Sequence, residues 1–413
     1  MTTKSLIFLY TMMVVLIIIY INFPEKEERL TFYIEPFSQC GAEAFFNIKP
    51  ENVATEMTNT ESDEIKQRKL KYCKSSKEEI NDRLKKFFTK MNIEYTTDPK
   101  NCTYYIPYWY SDDELSKFIS KHHRPNMILN VIPGVDYLNR KNKLWEALVE
   151  KLGRDKASKI MPPSYSIFNN EWTFFEKEYK QGDSYILKTE EENAQGIFVY
   201  KDLQKIKNKV VDKKATYPIT IIQQFIKPLL IKNRVFKLRL FLFIKCKKGI
   251  KDIYIHKQGS VFYGKEIYNE NNLTYENIVA NAYWFNTISL VDVRAFLEKN
   301  PRNLVQVKKY FNKNKINSKK IFNDIKSLLK KTTNTLKEKI CTLSKLNNNI
   351  KVGLFGIDII IDNNLKPWLI EMNVSPSSTA FDKLGEEQKK QVWADTMKIT
   401  LLKNPKNHQF EKI

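Results

Sequence analysis

Asp358, Glu371 and Asn373 are side chains of the types that hold a hard divalent cation, and their spacing lets them meet. Gly356–Ile361 is rich in β-branched residues, Asp362-Asn363-Asn364 is turn chemistry, and Lys366–Met372 reads as a second strand. Side chains alternate faces along a strand, so Glu371 and Asn373 project to one side. A four-residue turn sets Asp358 on the neighbouring strand beside them. Two carboxylates and an amide oxygen among apolar neighbours suit Mg²⁺, which takes one or two carboxylates together with nucleotide phosphates. The alternative is a plain hairpin carrying three polar residues on its solvent face, since a bare Glu-x-Asn is a short motif.

The elements that position this hairpin are legible in outline. Thr220–Phe225 and Phe236–Ile244 read as buried strands, and Ile253–Ile255 and Ser260–Tyr263 as shorter ones. Tyr185–Lys188 and Gly196–Tyr200 form a strand pair around the polar loop Thr189–Gln195. Asn101–Trp109 and Met127–Ile132 are short strands nearer the N-terminus. Helical periodicity predicts helices within Glu51–Asn92, over Asp136–Leu152, Lys319–Leu346 and Glu386–Leu402, while Lys308–Asn317 reads as basic and exposed.

A chain of 413 residues has room for two or three domains, and a hydrophobic fraction of 42% excludes a disordered polymer. Its 69 Lys and Arg against 47 Asp and Glu give +22, which favours acidic partners, although an Asn- and Ile-rich composition points equally to biased codon usage. No aromatic-plus-basic RNA-binding motif accompanies the charge, so nucleic acid is not the expected partner. Five spaced cysteines (Cys40, Cys73, Cys102, Cys246, Cys341) without a C-x-x-C argue against zinc and against a dense disulfide framework; one bridge among the first three stays open. Leu6–Ile21 is a charge-free apolar run, extended by uncharged flanks to Ser5–Asn22, and reads as a single-pass anchor. Lys4 on one side and Lys26 and Arg29 on the other leave its orientation nearly balanced. The sequons Asn101-Cys102-Thr103 and Asn272-Leu273-Thr274 would suit a luminal domain, and arise by chance in an Asn-rich chain.

Several stretches together resemble the tubulin-tyrosine ligase-like family, whose fold is ATP-grasp. The hairpin is similar to that family's closing signature through Phe355-Gly356-x-Asp358, Trp368-Leu369-Ile370-Glu371-x-Asn373 and Ser375-Pro376. Ile221–Leu230 resembles its strand and hinge beside the adenine, and Leu138-Asn139-Arg140-Lys141 and Pro162-Pro163-Ser164-Tyr165 resemble the entry to its nucleotide-binding half. Gln391–Leu401, with Asp395-Thr396, resembles its C-terminal helix. The order runs from about Pro133 to Leu402. The resemblance implies an α+β, ATP-grasp-type assembly of antiparallel sheets with flanking helices behind an N-terminal transmembrane helix. The expected parts are an anchor (1–22), an N-terminal α/β sub-domain (23–135), a central sub-domain (136–215) and a C-terminal sub-domain with the hairpin (216–413).

The implied activity is ATP- and Mg²⁺-dependent ligation of an amino acid to a protein carboxylate through an acyl phosphate. Asp358, Glu371 and Asn373 would be the metal ligands. Lys141 and Lys188 would hold the ATP phosphates, and Gln223, Gln224, Phe225 and Ile226 would line the adenine site. Arg239, a planar fork, would meet the carboxylate or γ-phosphate. Implied partners are a free amino acid and an acidic polypeptide acceptor, a tubulin tail by family, with the soluble domain expected on the cytosolic side of the membrane. Departures accompany the match. The family's Lys-Phe-Asp-x-Arg appears as Val235-Phe236-Lys237-Leu238-Arg239, its Gly-x-x-Arg as Gly259-Ser260-Val261-Phe262, and its Leu-Thr-Asn as Leu273-Thr274-Tyr275. The glycine-rich phosphate loop becomes Thr189–Gly196 with Glu190, Glu191 and Glu192, whose charges would repel phosphate unless they point to solvent. The expectation is therefore a ligase of changed specificity; the alternative is a catalytically impaired, nucleotide-binding pseudo-ligase acting as a membrane-tethered binding module.

Overall fold

Arg234–Cys246 is the spine of the molecule. Its run RVFKLRLFLFIKC is apolar at nearly every position because it is flanked on both edges, by Ile250–Tyr263 and by Ile350–Ile361, in antiparallel register. Lys237 and Arg239, two of the three partly buried cations that interrupt the run inside its ends, are two apart and so share one face. A computed structural model describes residues 59–75, 80, 82–108, 110–169, 171–190, 196–212, 216–281, 290–376 and 383–413. These residues fall within one compact unit, Val53–Ile413. The anchor predicted over Ser5–Asn22 lies outside them. Among the described residues no helix is long and apolar enough to cross a membrane.

The larger, ten-stranded sheet runs Phe410–Lys412, Ile250–Tyr263, Arg234–Cys246, Ile350–Ile361, Ile128–Leu129, Tyr104–Ile106, Lys71–Lys74, Glu94–Tyr95, with Leu230–Ile231 paired to Arg234–Cys246 and Pro367–Val374 paired to Ile350–Ile361 beside that path. Its N-terminal wing is parallel and its C-terminal part antiparallel. Ile350–Ile361 pairs at its start with Ile128–Leu129 and further along with Pro367–Val374, so the hairpin grows out of the sheet that carries the N-terminal strands. A second, four-stranded antiparallel sheet has the order Ser164–Ser166, Ile219–Gln224, Tyr185–Thr189, Ile197–Tyr200. The mixed α/β architecture fits the expected class.

Several elements differ from the sequence-based expectation. The region Glu51–Asn92 holds two helices, Asn59–Gln67 and Asp82–Lys90, split by the strand Lys71–Lys74, whose four residues are too few to show a period. The helix expected over Asp136–Leu152 breaks at Arg140, whose extended backbone starts a second helix, Lys141–Leu152. The long helix is Ser318–Thr335; its last turn is a Thr-Thr-Asn-Thr run, and Thr332, Thr333 and Thr335 turn their hydroxyls back onto carbonyls four residues earlier. Lys308–Asn317 is mostly exposed, as read, but its first part belongs to the helix Leu304–Lys313, which buries Leu304, Val307 and Phe311 at helical spacing.

Ile250–Tyr263 is one strand where two were expected. Leu240 pairs with Gly259 but Leu242 pairs with Ile255, so the segment between them bulges out. His256 closes that bulge: its Nδ1 accepts from Gln258 N (3.0 Å) and its Nε2 donates to Asp395 (3.1 Å) on the helix Lys383–Leu401. Burial pushes the imidazole pKa down and outweighs the carboxylate beside it, consistent with a neutral ring.

Two disulfides tie the sheet to its surroundings. Cys73–Cys102 joins neighbouring strands of the parallel wing, and Cys246–Cys341 fastens the end of the spine to the segment after the long helix. The sequence reading allowed one bridge among Cys40, Cys73 and Cys102 but not the second.

Candidate functional site

The hairpin forms because Asp362 organises its own turn. Its Oδ1 accepts from Asn364 N (2.9 Å) and Lys366 N (2.8 Å), and its Oδ2 accepts from Trp368 Nε1 (2.9 Å). Asp358 shares a face with Glu371 and Asn373, as the sequence suggested, but by another route, and it lies directly opposite Glu371, with Gly356 opposite Asn373. The connection between Ile361 and Pro367 is one residue longer than the four-residue turn assumed. Pairing then slips by one at a bulge, from Ile359↔Leu369 to Asp358↔Glu371. Ile370 is the extra residue, and it restores the shared face that the longer connection would have lost. Gly356 is favoured by crowding: a Cβ there would sit 3.1 Å from Cδ of Arg239 and 3.1 Å from Cβ of Pro376, so both neighbours would have to shift.

Cations surround these acids. Asp358 is 0% exposed and pairs across the sheet with Arg239. Arg239 donates through Nε to Oδ1 and through Nη2 to Oδ2 (3.1 Å), while Lys237 Nζ lies 2.6 Å from Oδ2. Asn373 Nδ2 donates to Glu371 Oε1 (2.9 Å), and Lys141 Nζ stands 3.6 Å from Oε2. Burial raises the Glu371 pKa, but Lys141 and Lys237, with the hydrogen bond donated by Asn373, hold it well below the carboxylate range. Lys188, from the second sheet, donates to Gln223 Oε1 (2.8 Å). Burial lowers its pKa to about 8, against the pull of Glu371 and with the push of Lys141 and Lys237. The structure thus gathers Lys141, Lys188, Arg239, Asp358, Glu371 and Asn373 into one cluster.

Gln223 and Gln224 have committed side chains. Gln223 bridges Lys188 to Ser164 Oγ (2.9 Å), and Gln224 donates to Asp183 Oδ2 (2.9 Å). Phe225 N–H is also committed, to Ser184 O (2.8 Å), and its ring faces Tyr268 in near-parallel planes (14°, 6.4 Å). Glu190 reaches toward Arg140 Nη1 (3.7 Å), which turns the first glutamate of the altered loop to a cation; Glu191 and Glu192 lie outside the described residues. Val235 is buried, and Lys237 is paired across the sheet with Phe262, its ammonium 5.9 Å from the ring. Tyr275 begins the short helix capped by Thr274, and burial raises its phenol pKa.

A cavity of about 1030 Å³ opens from the cluster, where Lys141, Thr220 and Asn373 line it, to a wall of the parallel wing that includes Tyr105, Tyr108 and Glu114. This wall escaped the sequence reading. Glu114 accepts from Tyr108 N (2.8 Å), and its own N–H donates to Ser111 Oγ (3.2 Å), so Ser111-Asp112-Asp113-Glu114 is a helix-start signature that could have marked it. Asn139 was also missed; its Oδ1 accepts from Val374 N (3.0 Å) and locks the broken helix to the hairpin.

Among the described residues no three His, Cys, Asp or Glu side chains converge as a metal centre, so any cation here relies on two carboxylates and a carboxamide. Glu371, held ionised, and Asn373 fit one hard cation that also takes phosphate oxygens. Asp358 fits only by exchanging the Lys237 ammonium for the metal.

Residues 119–409 match the family model described as tubulin-tyrosine ligase family. Among similar proteins, "Tubulin polyglutamylase ttll-4" of Caenorhabditis briggsae is 24% identical over 320 residues, covering 75% of this chain and 51% of that protein. "Tubulin polyglutamylase TTLL7" of Mus musculus is 25% identical over 293 residues, 66% of this chain and 31% of its own. "Tubulin glycylase 3D" of Tetrahymena thermophila is 26% identical over 213 residues, 50% and 20%. The chain spans about half, or less, of the length of these curated relatives.

Proposed function

The chain belongs to the tubulin-tyrosine ligase family, and from that premise we propose that it is an ATP- and Mg²⁺-dependent ligase joining an amino acid to a protein carboxylate. The observation that carries the proposal is the opposition of Asp358 and Glu371, with Asn373 alongside, inside a ring formed by Lys141, Lys188, Lys237 and Arg239. Phosphoryl transfer to a carboxylate concentrates negative charge, and fixed cations aimed at that charge stabilise it more in a dry cleft than in water. Glu371 and Asn373 would hold Mg²⁺, which supplies charge neutralisation at the phosphates. Lys141, in the first turn of a helix, and Lys188 would orient the phosphates. Arg239 would bind the acceptor carboxylate or γ-phosphate with the part of its fork not engaged by Asp358. The hinge at Phe225 and Ile226 would receive the adenine.

The acceptor we propose is an acidic polypeptide, consistent with the +22 charge; tubulin is the substrate in the relatives' names. The proposal retains a membrane anchor at Ser5–Asn22. The test is Mg²⁺- and ATP-dependent incorporation of labelled amino acids into acidic peptides by the full chain. Incorporation of at least one amino acid is expected, and ATP binding without any incorporation would sink the ligase reading. That second outcome defines the other reading, a nucleotide-binding pseudo-ligase, which is favoured by one observation: Lys237 occupies Oδ2 of Asp358.

The pairing of Lys237 with Phe262 makes a further prediction. Lys237→Asp alone sets a second carboxylate against Asp358 and is expected to cost on the order of 1–3 kcal/mol of stability. Lys237→Asp with Phe262→Arg supplies a counter-charge on the facing strand, so it is expected to recover that loss and change which amino acid is used. Melting curves and a panel of labelled amino acids check both; a double variant no more stable than the single one would disprove the coupling.

A further inference from the structure

We propose that Asn101 and Asn272 carry N-linked glycans, on a domain that faces an oxidising compartment where the bridges Cys73–Cys102 and Cys246–Cys341 stay closed. Four of the five cysteines are consumed by these pairs, with Cα–Cα distances of 5.4 and 5.7 Å, inside the range a bridge spans. The four are also buried. Single buried thiols are common in any compartment, but structural disulfides are rare where glutathione keeps thiols reduced. Metal binding does not account for the pairs, because no cluster of metal-binding side chains exists among the described residues. Redox catalysis does not account for them either. The partners are 29 and 95 residues apart, and such catalysis needs accessible, activated thiols.

The sequons supply an independent observation. Asn272 is exposed in the loop ahead of the helix Tyr275–Ile278, and Thr274 of the same sequon is that helix's N-cap. Asn101 is exposed at the end of the turn Pro99–Asn101. By contrast, the pattern Asn373-Val374-Ser375 lies on the hairpin strand, where Asn373 is only partly exposed. Exposure therefore selects the first two sites and rejects the third. The apolar run Leu6–Ile21 supplies the kind of segment that delivers a chain to such a compartment, and its nearly balanced flanks allow this orientation. The assignment reverses the expectation of a cytosolic domain. The modification sites stand apart from the ligase reading; if that reading also holds, the acceptor is an acidic polypeptide of the same compartment and not tubulin.

The test uses the full chain made in eukaryotic cells and alkylated during lysis. Unreduced digests are examined for cross-linked peptides, and glycosidase treatment in ¹⁸O-water tags each former glycan site as a heavy Asp. Both cross-links and heavy Asp at positions 101 and 272 are expected, and N101Q and N272Q should each lose one glycosidase-sensitive mobility step. Alkylated cysteines with unmodified asparagines would overturn the proposal as a whole. Closed bridges with unmodified asparagines would overturn the glycan assignment. The amino-acid incorporation assay on the same preparation reports separately on the ligase reading.

Discussion

Glu371→Gln is expected to weaken Mg²⁺-dependent ATP binding by at least about 100-fold, since even partners behind a metal ligand typically cost 10–100-fold when removed. The substitution keeps the shape and an acceptor oxygen for Asn373 Nδ2, so the hairpin's own hydrogen bond survives. What it deletes is the charge that Lys141 and Lys237 hold ionised. Calorimetric titration of Mg²⁺–ATP into wild type and variant, with melting curves alongside, measures the effect. Stability should fall less than for the fully buried Asp358, by about 1–2 kcal/mol, because the Lys141 pair is long at 3.6 Å, although a carboxylate held well below its usual range does contribute stability that an amide lacks. Equal affinities in the two proteins would remove Glu371 from the site.

Asp358→Ala should behave differently, and its larger effect is on folding. Both oxygens of this fully buried carboxylate are occupied, by Arg239 and Lys237, and the substitution leaves these two cations, two apart on one strand, without the carboxylate that bonds them both. Removing one partner of a buried pair typically costs about 3–5 kcal/mol, and that range is expected here. Urea denaturation should show a lower midpoint at unchanged slope. A loss below about 1 kcal/mol would mean that Lys237 and Arg239 relax into solvent, and that the cluster is a surface feature. Asp358 is thus a poor probe of nucleotide binding taken alone, and Glu371 is the clean one.

The site was readable in the sequence where local rules act. Alternation placed Glu371 and Asn373 on one face, and Asp362-Asn363-Asn364 announced the turn. The buried strand Phe236–Ile244 followed from an apolar run that only a doubly flanked strand needs, although the strand extends two residues further at each end. Other features depend on partners far along the chain. The bulge at Ile370 has no glycine to advertise it, and it compensates for a turn whose extra residue was equally silent. Ile250–Tyr263 read as two pieces because Lys257, Gln258 and Gly259 interrupt the apolar pattern; its continuity depends on His256 meeting Asp395, 139 positions away. Lys237 stood out as a sign reversal, but only the register with Asp358 and Phe262 shows what it touches. Tyr105, Tyr108 and Glu114 reach the cavity through a sheet that joins both ends of the chain, which no local window contains.

Because Lys237 and Phe262 face one another, the two departures from the family pattern form one exchange, in which an ion pair gives way to an ammonium beside an aromatic ring. With Val235 included, the family's Lys, Asp and Arg and this chain's Val, Lys and Phe each sum to a single positive charge. The net charge of these three positions therefore keeps its sign, and here its one positive charge stands against the buried carboxylate of Asp358.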